Sequence, residues 1–118
     1  MKTLFIEYPR CSTCIKARKF LIEHNCDFED RHIVENTPTK EELKVFLQRS
    51  GLPLKKFFNT SGKVYKEMQL KDRLKEMSED EQLTLLSENG MLIKRPLLIT
   101  DDICYVGFNE DNYQKVCS

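Results

Sequence analysis

Hydrophobic and polar positions along the chain change period five times. Residues Thr3 to Tyr8 read TLFIEY, a run that suits a strand and stops at Pro9, which cannot donate to a ladder. Its apolar centre, Leu4, Phe5 and Ile6, is broken by Glu7. After Cys11-Ser12-Thr13-Cys14, the apolar residues Ile15, Ala17, Phe20, Leu21 and Ile22 are interleaved with Lys16, Arg18, Lys19 and Glu23 at helical spacing. Ser12 and Thr13 are the expected N-caps of that helix and Asn25 its stop. Phe28 to Val34 then predicts a second, more polar strand.

The next sixty or so residues read as a helical block. Thr39 with Glu42 three positions on forms a capping-box pattern, followed by Leu43, Phe46 and Leu47 at helical spacing and closed by Gly51 and Pro53. Further short helices are predicted over Lys55 to Phe58, Lys71 to Met77 and Glu79 to Glu88, the last capped by Ser78 or Asp80 and closed by Asn89-Gly90. The period then returns to strand. Leu97 to Thr100, a turn at Asp101-Asp102, and Ile103 to Val106 predict a hairpin, and Gly107-Phe108-Asn109 leads into a short terminal helix with Tyr113 and Val116. The order is βαβ, helical block, ββα. That implies an α/β domain spanning 1–118, with a helical insertion over about 36–94 and no linker, repeat or low-complexity tract.

Length and charge narrow the function classes. A chain of 118 residues fits one domain, and 19 Lys plus Arg against 19 Asp plus Glu leave no net charge, unlike a protein held on nucleic acid by electrostatics. No direct nucleic-acid partner is expected. The N-terminal apolar run is too short for a signal-peptide core, and no stretch approaches the eighteen or so apolar residues of a membrane span. We therefore expect no membrane association, a cytoplasmic location and reduced thiols.

Five cysteines are the unusual part of the composition, because two of them, Cys11 and Cys14, stand three apart at a predicted strand-to-helix junction. Free N–H groups and the positive end of the helix dipole stabilise a thiolate at such a place, and Arg10 and Lys16 add positive charge nearby. Cys14, one turn on and on the same face, can attack a mixed disulfide on Cys11 and close an intramolecular disulfide. The roles that follow are Cys11 as nucleophile and Cys14 as resolving thiol. Two other readings stay open: half of a zinc site completed by ligands among Cys26, Cys104, Cys117, His24 and His32, although no second Cys-X-X-Cys is present, or two ordinary buried cysteines. Cys26 and Cys104 read as packing residues and Cys117 as an exposed bystander near the chain end. His24 and His32 read as surface positions without a role. Late in the chain, Lys94-Arg95-Pro96-Leu97 places a proline at the start of a strand, with Arg95 as either a solvated residue or a ligand for an anion near the thiolate.

With these residues in place the sequence resembles the arsenate reductase (ArsC)/Spx family, a branch of the thioredoxin-like superfamily with a helical insertion between its second and third strands. The resemblance spans nearly the whole chain. It is carried by Tyr8-Pro9-Arg10-Cys11-Ser12-Thr13-Cys14, Lys16-Ala17-Arg18, Lys63-Val64-Tyr65-Lys66, Lys94-Arg95-Pro96-Leu97 and Val106-Gly107-Phe108-Asn109-Glu110-Asp111. It implies a four-stranded mixed sheet and a cis peptide before Pro96. Catalytic roles are implied for Cys11, Cys14 and Arg95, with a substrate side formed by Arg10, Ser12, Thr13 and Pro96 and no metal. It further implies no bound cofactor, glutathione or a glutaredoxin/thioredoxin system as reductant, and a small-molecule thiol or protein disulfide as partner. Arsenate reductases of the family surround the oxyanion with three arginines. Here only Arg95 matches, while the other two positions fall on Asn59 and on or near Phe108. Spx-type regulators share the Cys-X-X-Cys, the Arg-Pro and the Gly-aromatic-Asn-Glu-Asp run. The alternative they imply is a redox-sensing transcriptional regulator that binds the C-terminal domain of the RNA polymerase alpha subunit. Gly51 lies close to the glycine such regulators use at the polymerase surface.

Overall fold

The structure is a computed structural model and describes residues 3–117. Four strands form one mixed sheet in the order β2-β1-β3-β4: β1 Thr3–Glu7, β2 Phe28–His32, β3 Leu97–Ile99 and β4 Cys104–Val106. β1 runs parallel to β2 and antiparallel to β3, and β3 and β4 make the antiparallel hairpin. A parallel pair needs a long crossover, which α1 (Ser12–Glu23) supplies. Between β2 and β3 come α2 (Lys40–Ser50), α3 (Lys63–Glu67), α4 (Leu70–Arg73) and α5 (Glu79–Glu88), and α6 (Glu110–Cys117) follows β4. The fold is the mixed α/β sheet with inserted helices that the period changes imply.

Side chains alternate across a strand, so the central β1 serves two cores. Phe5 points to one side and packs with Leu98, Ala17, Leu21 and Tyr113 under α1 and α6. Ile6 points to the other and joins Leu97, Ile99, Leu43, Phe46 and Leu86 under the helical block. Phe5 and Ile6 are fully buried, each a gain of roughly 1.5–3 kcal/mol over exposure. The same alternation puts Glu7 on the Phe5 side, facing α1. Glu7 is the buried charged residue among those described, at 3% exposure.

Caps set the ends of the inserted helices. Thr39 and Ser78 each accept the N–H three residues on, from Glu42 and Glu81, whose carboxylates accept the Thr39 and Ser78 N–H in return. Of the two caps expected for α5, Ser78 holds the position. Gly51 closes α2 in the left-handed region at φ 67°.

Boundaries shift from expectation where a side chain captures backbone donors. β2 ends at His32 instead of Val34, because the His32 ring Nδ1 accepts the N–H groups of Val34 and Glu35 and turns the chain. β3 ends at Ile99 and β4 begins at Cys104, because Thr100 Oγ1 accepts from Asp102 and Ile103. The helix expected over Lys55 to Phe58 is a 3-10 turn over Leu54–Phe57. That expected over 71–77 is α4 followed by a 3-10 turn at Leu74–Glu76, and α3 is an element the apolar spacing does not predict.

Candidate active site

The chain turns from β1 into α1 through Tyr8-Pro9-Arg10, with the Cys11 N–H donating to the Tyr8 carbonyl at 3.0 Å. Cys11, not Ser12 or Thr13, is the N-cap, with the extended backbone (φ −85°, ψ 124°) that a cap requires. Ser12 and Thr13 already belong to the first turn and expose their side chains. No side-chain oxygen caps this end. Instead the N–H groups of Cys14 and Thr13 are turned toward the Cys11 sulfur, which takes the place that a capping oxygen would fill.

The two thiols of the pair differ sharply. Partial burial of Cys11 opposes ionisation and is the largest single influence, yet the Cys14 N–H, the Cys14 thiol, the Thr13 N–H and the Arg95 charge together outweigh it. They hold Cys11 below its ordinary pKa. Cys14 is fully buried, and burial pushes its thiol up to about 12. The Tyr8 N–H works against that rise, while the Cys11 sulfur and the Glu7 carboxylate add to it. A half-exposed sulfur biased toward ionisation therefore lies next to a buried protonated thiol that donates to it.

Arg95 approaches from the strand side of the site. The Arg95–Pro96 peptide is cis. The guanidinium carbon lies 5.2 Å from the Tyr8 ring centroid, Nη1 donates to the Met91 carbonyl at 3.3 Å, and the buried Nε has no partner. The structure thus brings Cys11, Cys14 and Arg95 together, with Arg95 facing the site and not solvated ahead of an edge strand. Pro96 is buried, and its carbonyl accepts the Gly107 N–H. Arg10 is exposed and, with Tyr8, Pro9, His32, Val34 and Glu35, lines an open cleft of about 310 Å³ beside the pair. Ser12 contributes no polar contact to the sulfur, and Thr13 contributes only its backbone.

Glu7 is a site residue that the sequence pattern does not single out. Its signal is present all the same, since a carboxylate interrupts the apolar run of a central strand. Burial comes first, followed by the neighbouring Asp30 carboxyl, in raising its pKa to about 7, against the attraction of Arg18 at 3.6 Å. His32 also gains a place, because its ring packs edge-on to Tyr8 at 5.8 Å and shapes the cleft wall. His24 lies at the far end of α1, stacked on Phe20.

The remaining thiols correct one expectation. Cys104 is buried packing, as its strand position suggests, and burial pushes it up to about 12. Cys117 is not an exposed bystander. It is half-buried at the end of α6, and burial together with a hydrogen bond to the Cys26 thiol raises it to about 12. Cys26 and Cys117 both pack against the core beneath α1 and α6. Among the described residues no group of three or more His, Cys, Asp or Glu side chains is placed to hold a metal ion, so the zinc reading finds no further ligands for Cys11 and Cys14. Nor is any helix of those residues long and apolar enough to cross a membrane.

The two positions at which the resemblance would place further oxyanion arginines hold other structure. Asn59 shapes a turn, its carbonyl accepting the Gly62 N–H at 3.0 Å and its side chain lying where a Gly62 Cβ would fall. Phe108 packs edge-on to Tyr113 and Phe20 in the aromatic core.

Residues 6–116 match the ArsC family. The chain belongs to that family. It is 53% identical over 115 residues to the protein YusI of Bacillus subtilis, a match covering 98% of each chain. It is also 32% identical to the regulatory protein MgsR of Bacillus subtilis, over 95% of this chain and 87% of that one. Among solved structures, an ArsC family related protein from Bacteroides fragilis superimposes with a TM-score of 0.94 at 54% identity over 98% of both chains. Relatives of this ArsC chain thus include a regulatory protein, and the Cys11-Cys14 pair lies at the strand-to-helix junction of the shared fold.

Proposed function

We propose that the protein is a thiol-disulfide oxidoreductase in which Cys11 attacks and Cys14 resolves. One observation carries this reading: the two sulfurs are unlike, with Cys11 half-exposed and biased toward thiolate and Cys14 fully buried and held protonated. The Cys11 thiolate attacks one sulfur of a substrate disulfide R–S–S–R′, forming Cys11–S–S–R and releasing R′S⁻. The Cys14 sulfur, once deprotonated, attacks Cys11 Sγ, forms the Cys11–Cys14 disulfide and releases RS⁻. Two glutathione thiols, or the thiol pair of a glutaredoxin or thioredoxin, return the pair to its dithiol form by two successive exchanges and leave as a disulfide. Arg95 supplies positive charge at the reacting sulfur, and the cleft beside Tyr8 and Arg10 receives the substrate backbone or a small thiol.

Disulfide exchange fits these residues better than oxyanion reduction does. With Asn59 in a turn and Phe108 in the core, Arg95 alone offers a guanidinium, and a tetrahedral oxyanion loses most of its bidentate recognition.

A Cys14→Ala variant tests the reading directly, since it should accumulate a mixed disulfide at Cys11 that the unaltered protein clears. Exchange that survives Cys11→Ser would overturn the assignment.

The second reading is a redox-sensing regulator that binds the C-terminal domain of the RNA polymerase alpha subunit. The 32% identity to a regulatory protein along nearly the whole chain favours it. Association with that domain should then differ between the dithiol and disulfide forms, and the absence of a complex in both forms would remove it.

A further inference from the structure

The end of α1 fixes Cys26 in place. The helix closes in a Schellman turn: Asn25 takes the left-handed region at φ 54°, its N–H donates to the Ile22 carbonyl at 3.1 Å, and the Cys26 N–H donates to the Leu21 carbonyl at 2.9 Å. That turn brings the chain back onto the core beneath α1. Cys26 and Cys117 of α6, far apart in the sequence, both pack there against the cluster of Phe5, Ala17, Leu21, Leu98 and Tyr113. The Cys117 thiol donates to the Cys26 sulfur. Both residues are half-buried and so open to small solutes, whereas Cys104 is closed off in the core.

We propose that Cys26 and Cys117 form a second redox pair, which hydrogen peroxide oxidises to a disulfide that ties α6 to the end of α1. The inference stands apart from the exchange chemistry of Cys11 and Cys14. Cys26 receives the hydrogen bond of Cys117 and is the sulfur placed to attack. Its thiolate forms a bond to one peroxide oxygen as the O–O bond breaks, leaving Cys26 as a sulfenic acid, and the released hydroxide takes the proton that Cys26 gave up. Cys117 Sγ then bonds to Cys26 Sγ as the S–O bond breaks, and the departing hydroxide takes the Cys117 proton. Two thiols and one hydrogen peroxide give one disulfide and two waters.

A tie at this place has a structural consequence. The buried residue of α6 is Tyr113, whose hydroxyl donates to the Gly107 carbonyl at 3.0 Å, and the Gly107 N–H donates to the Pro96 carbonyl at 2.8 Å. Hydrogen bonds thus run from α6 to the proline beside the thiol site. A disulfide from Cys26 to Cys117 closes a loop over most of the chain, and such a cross-link removes many conformations from the unfolded state. The oxidised protein is the more stable form of the same fold, and thiol reductants reverse the change.

The test uses the whole chain with Cys11→Ser and Cys14→Ser, which removes the other pair from the readout. The reduced protein is treated with hydrogen peroxide, its remaining thiols are alkylated in denaturant, and its peptides are mapped by mass spectrometry. A cross-link between Cys26 and Cys117 of one chain should form with the loss of two hydrogens, and dithiothreitol should remove it. The Tm should rise by about 5 °C or more on oxidation, and the rise should be absent in a further Cys26→Ser variant. Should the double variant fold poorly, peptide mapping of the oxidised unaltered protein keeps the test, because the same cross-link should appear there whether or not Cys11 and Cys14 are joined. Oxidation that stops at a sulfenic or sulfinic acid, a Cys26 linked only to a second chain, or a cross-linked protein with an unchanged Tm overturns the proposal.

Discussion

Arg95 and Tyr8 hold one another at the edge of the thiol site, with the guanidinium carbon 5.2 Å from the ring centroid. The ring limits where the cation can sit, and the Met91 carbonyl fixes one of its nitrogens. Its charge therefore reaches Cys11 from a set position, although its effect ranks below those of burial, the Cys14 N–H and thiol, and the Thr13 N–H. Arg95→Ala should raise the Cys11 pKa while leaving the thiol more acidic than an ordinary cysteine. Alkylation of Cys11 by iodoacetamide at pH 7 should slow only by about two- to fivefold. Loss of all rate advantage would show that Arg95, and not the helix N-terminus, creates the thiolate.

The stability of the helical block depends on a charge pair far from this chemistry. Arg31, half-buried on β2, donates through Nη1 and Nη2 to both carboxylate oxygens of Glu42, at 2.7 and 2.8 Å. The Arg31 hydrogen bonds come first in holding Glu42 at about 2, with the Thr39 cap adding to them and burial opposing. A depressed carboxyl stabilises the fold above its unfolded pKa of about 4.3, and the benefit disappears as pH falls through the folded value. Glu42→Gln keeps an oxygen for the Thr39 N–H but loses the charge. It should cost about 1–2 kcal/mol at pH 7, a figure reduced for the 37% exposure of the carboxylate. In urea titrations the difference should shrink steadily below pH 4 and vanish near pH 2.

Much of the fold is legible in the sequence because local rules and tertiary packing agree here. The alternation in β1, the capping boxes at Thr39 and Ser78 and the glycine at 51 each point to the element that forms. The pair at the strand-to-helix junction is legible for the same reason. Glu7 is not, because strand propensity records it as a break in an apolar run, and only the packing of α1 over that face makes it a buried acid. Contact between Cys26 and Cys117 joins a loop after α1 to the last helix, and nothing in local pattern encodes so distant a meeting. Hydroxyl preference points to Ser12 and Thr13 as caps, whereas the backbone gives that position to a sulfur.

Four of the five thiols should react in an order set by exposure and protonation. Cys11 should alkylate first at neutral pH, Cys117 should lag although it is half-exposed, and Cys14 and Cys104 should stay unmodified in the native protein. Mass mapping after a short alkylation pulse checks this, with denaturant releasing Cys104. Rapid modification of Cys104 without denaturant would mean that the β3-β4 hairpin opens readily.

Keeping an acid at the Glu7 position should cost stability in a pH-dependent way. Its folded pKa of about 7 lies above the unfolded value of about 4.3, so the folded state binds the extra proton between these limits. The protonated carboxyl leaves stability intact below pH 4, and stability falls as pH rises through 7 because the buried anion is then enforced. Glu7→Gln removes that loss. The variant should match the unaltered protein near pH 4 and exceed it by about 1–3 kcal/mol at pH 8, with the gap opening between these values in denaturant titrations. An equal or lower stability of Glu7→Gln at pH 8 would show that Arg18 already compensates the charge in full and that Glu7 is an ordinary ion-pair partner.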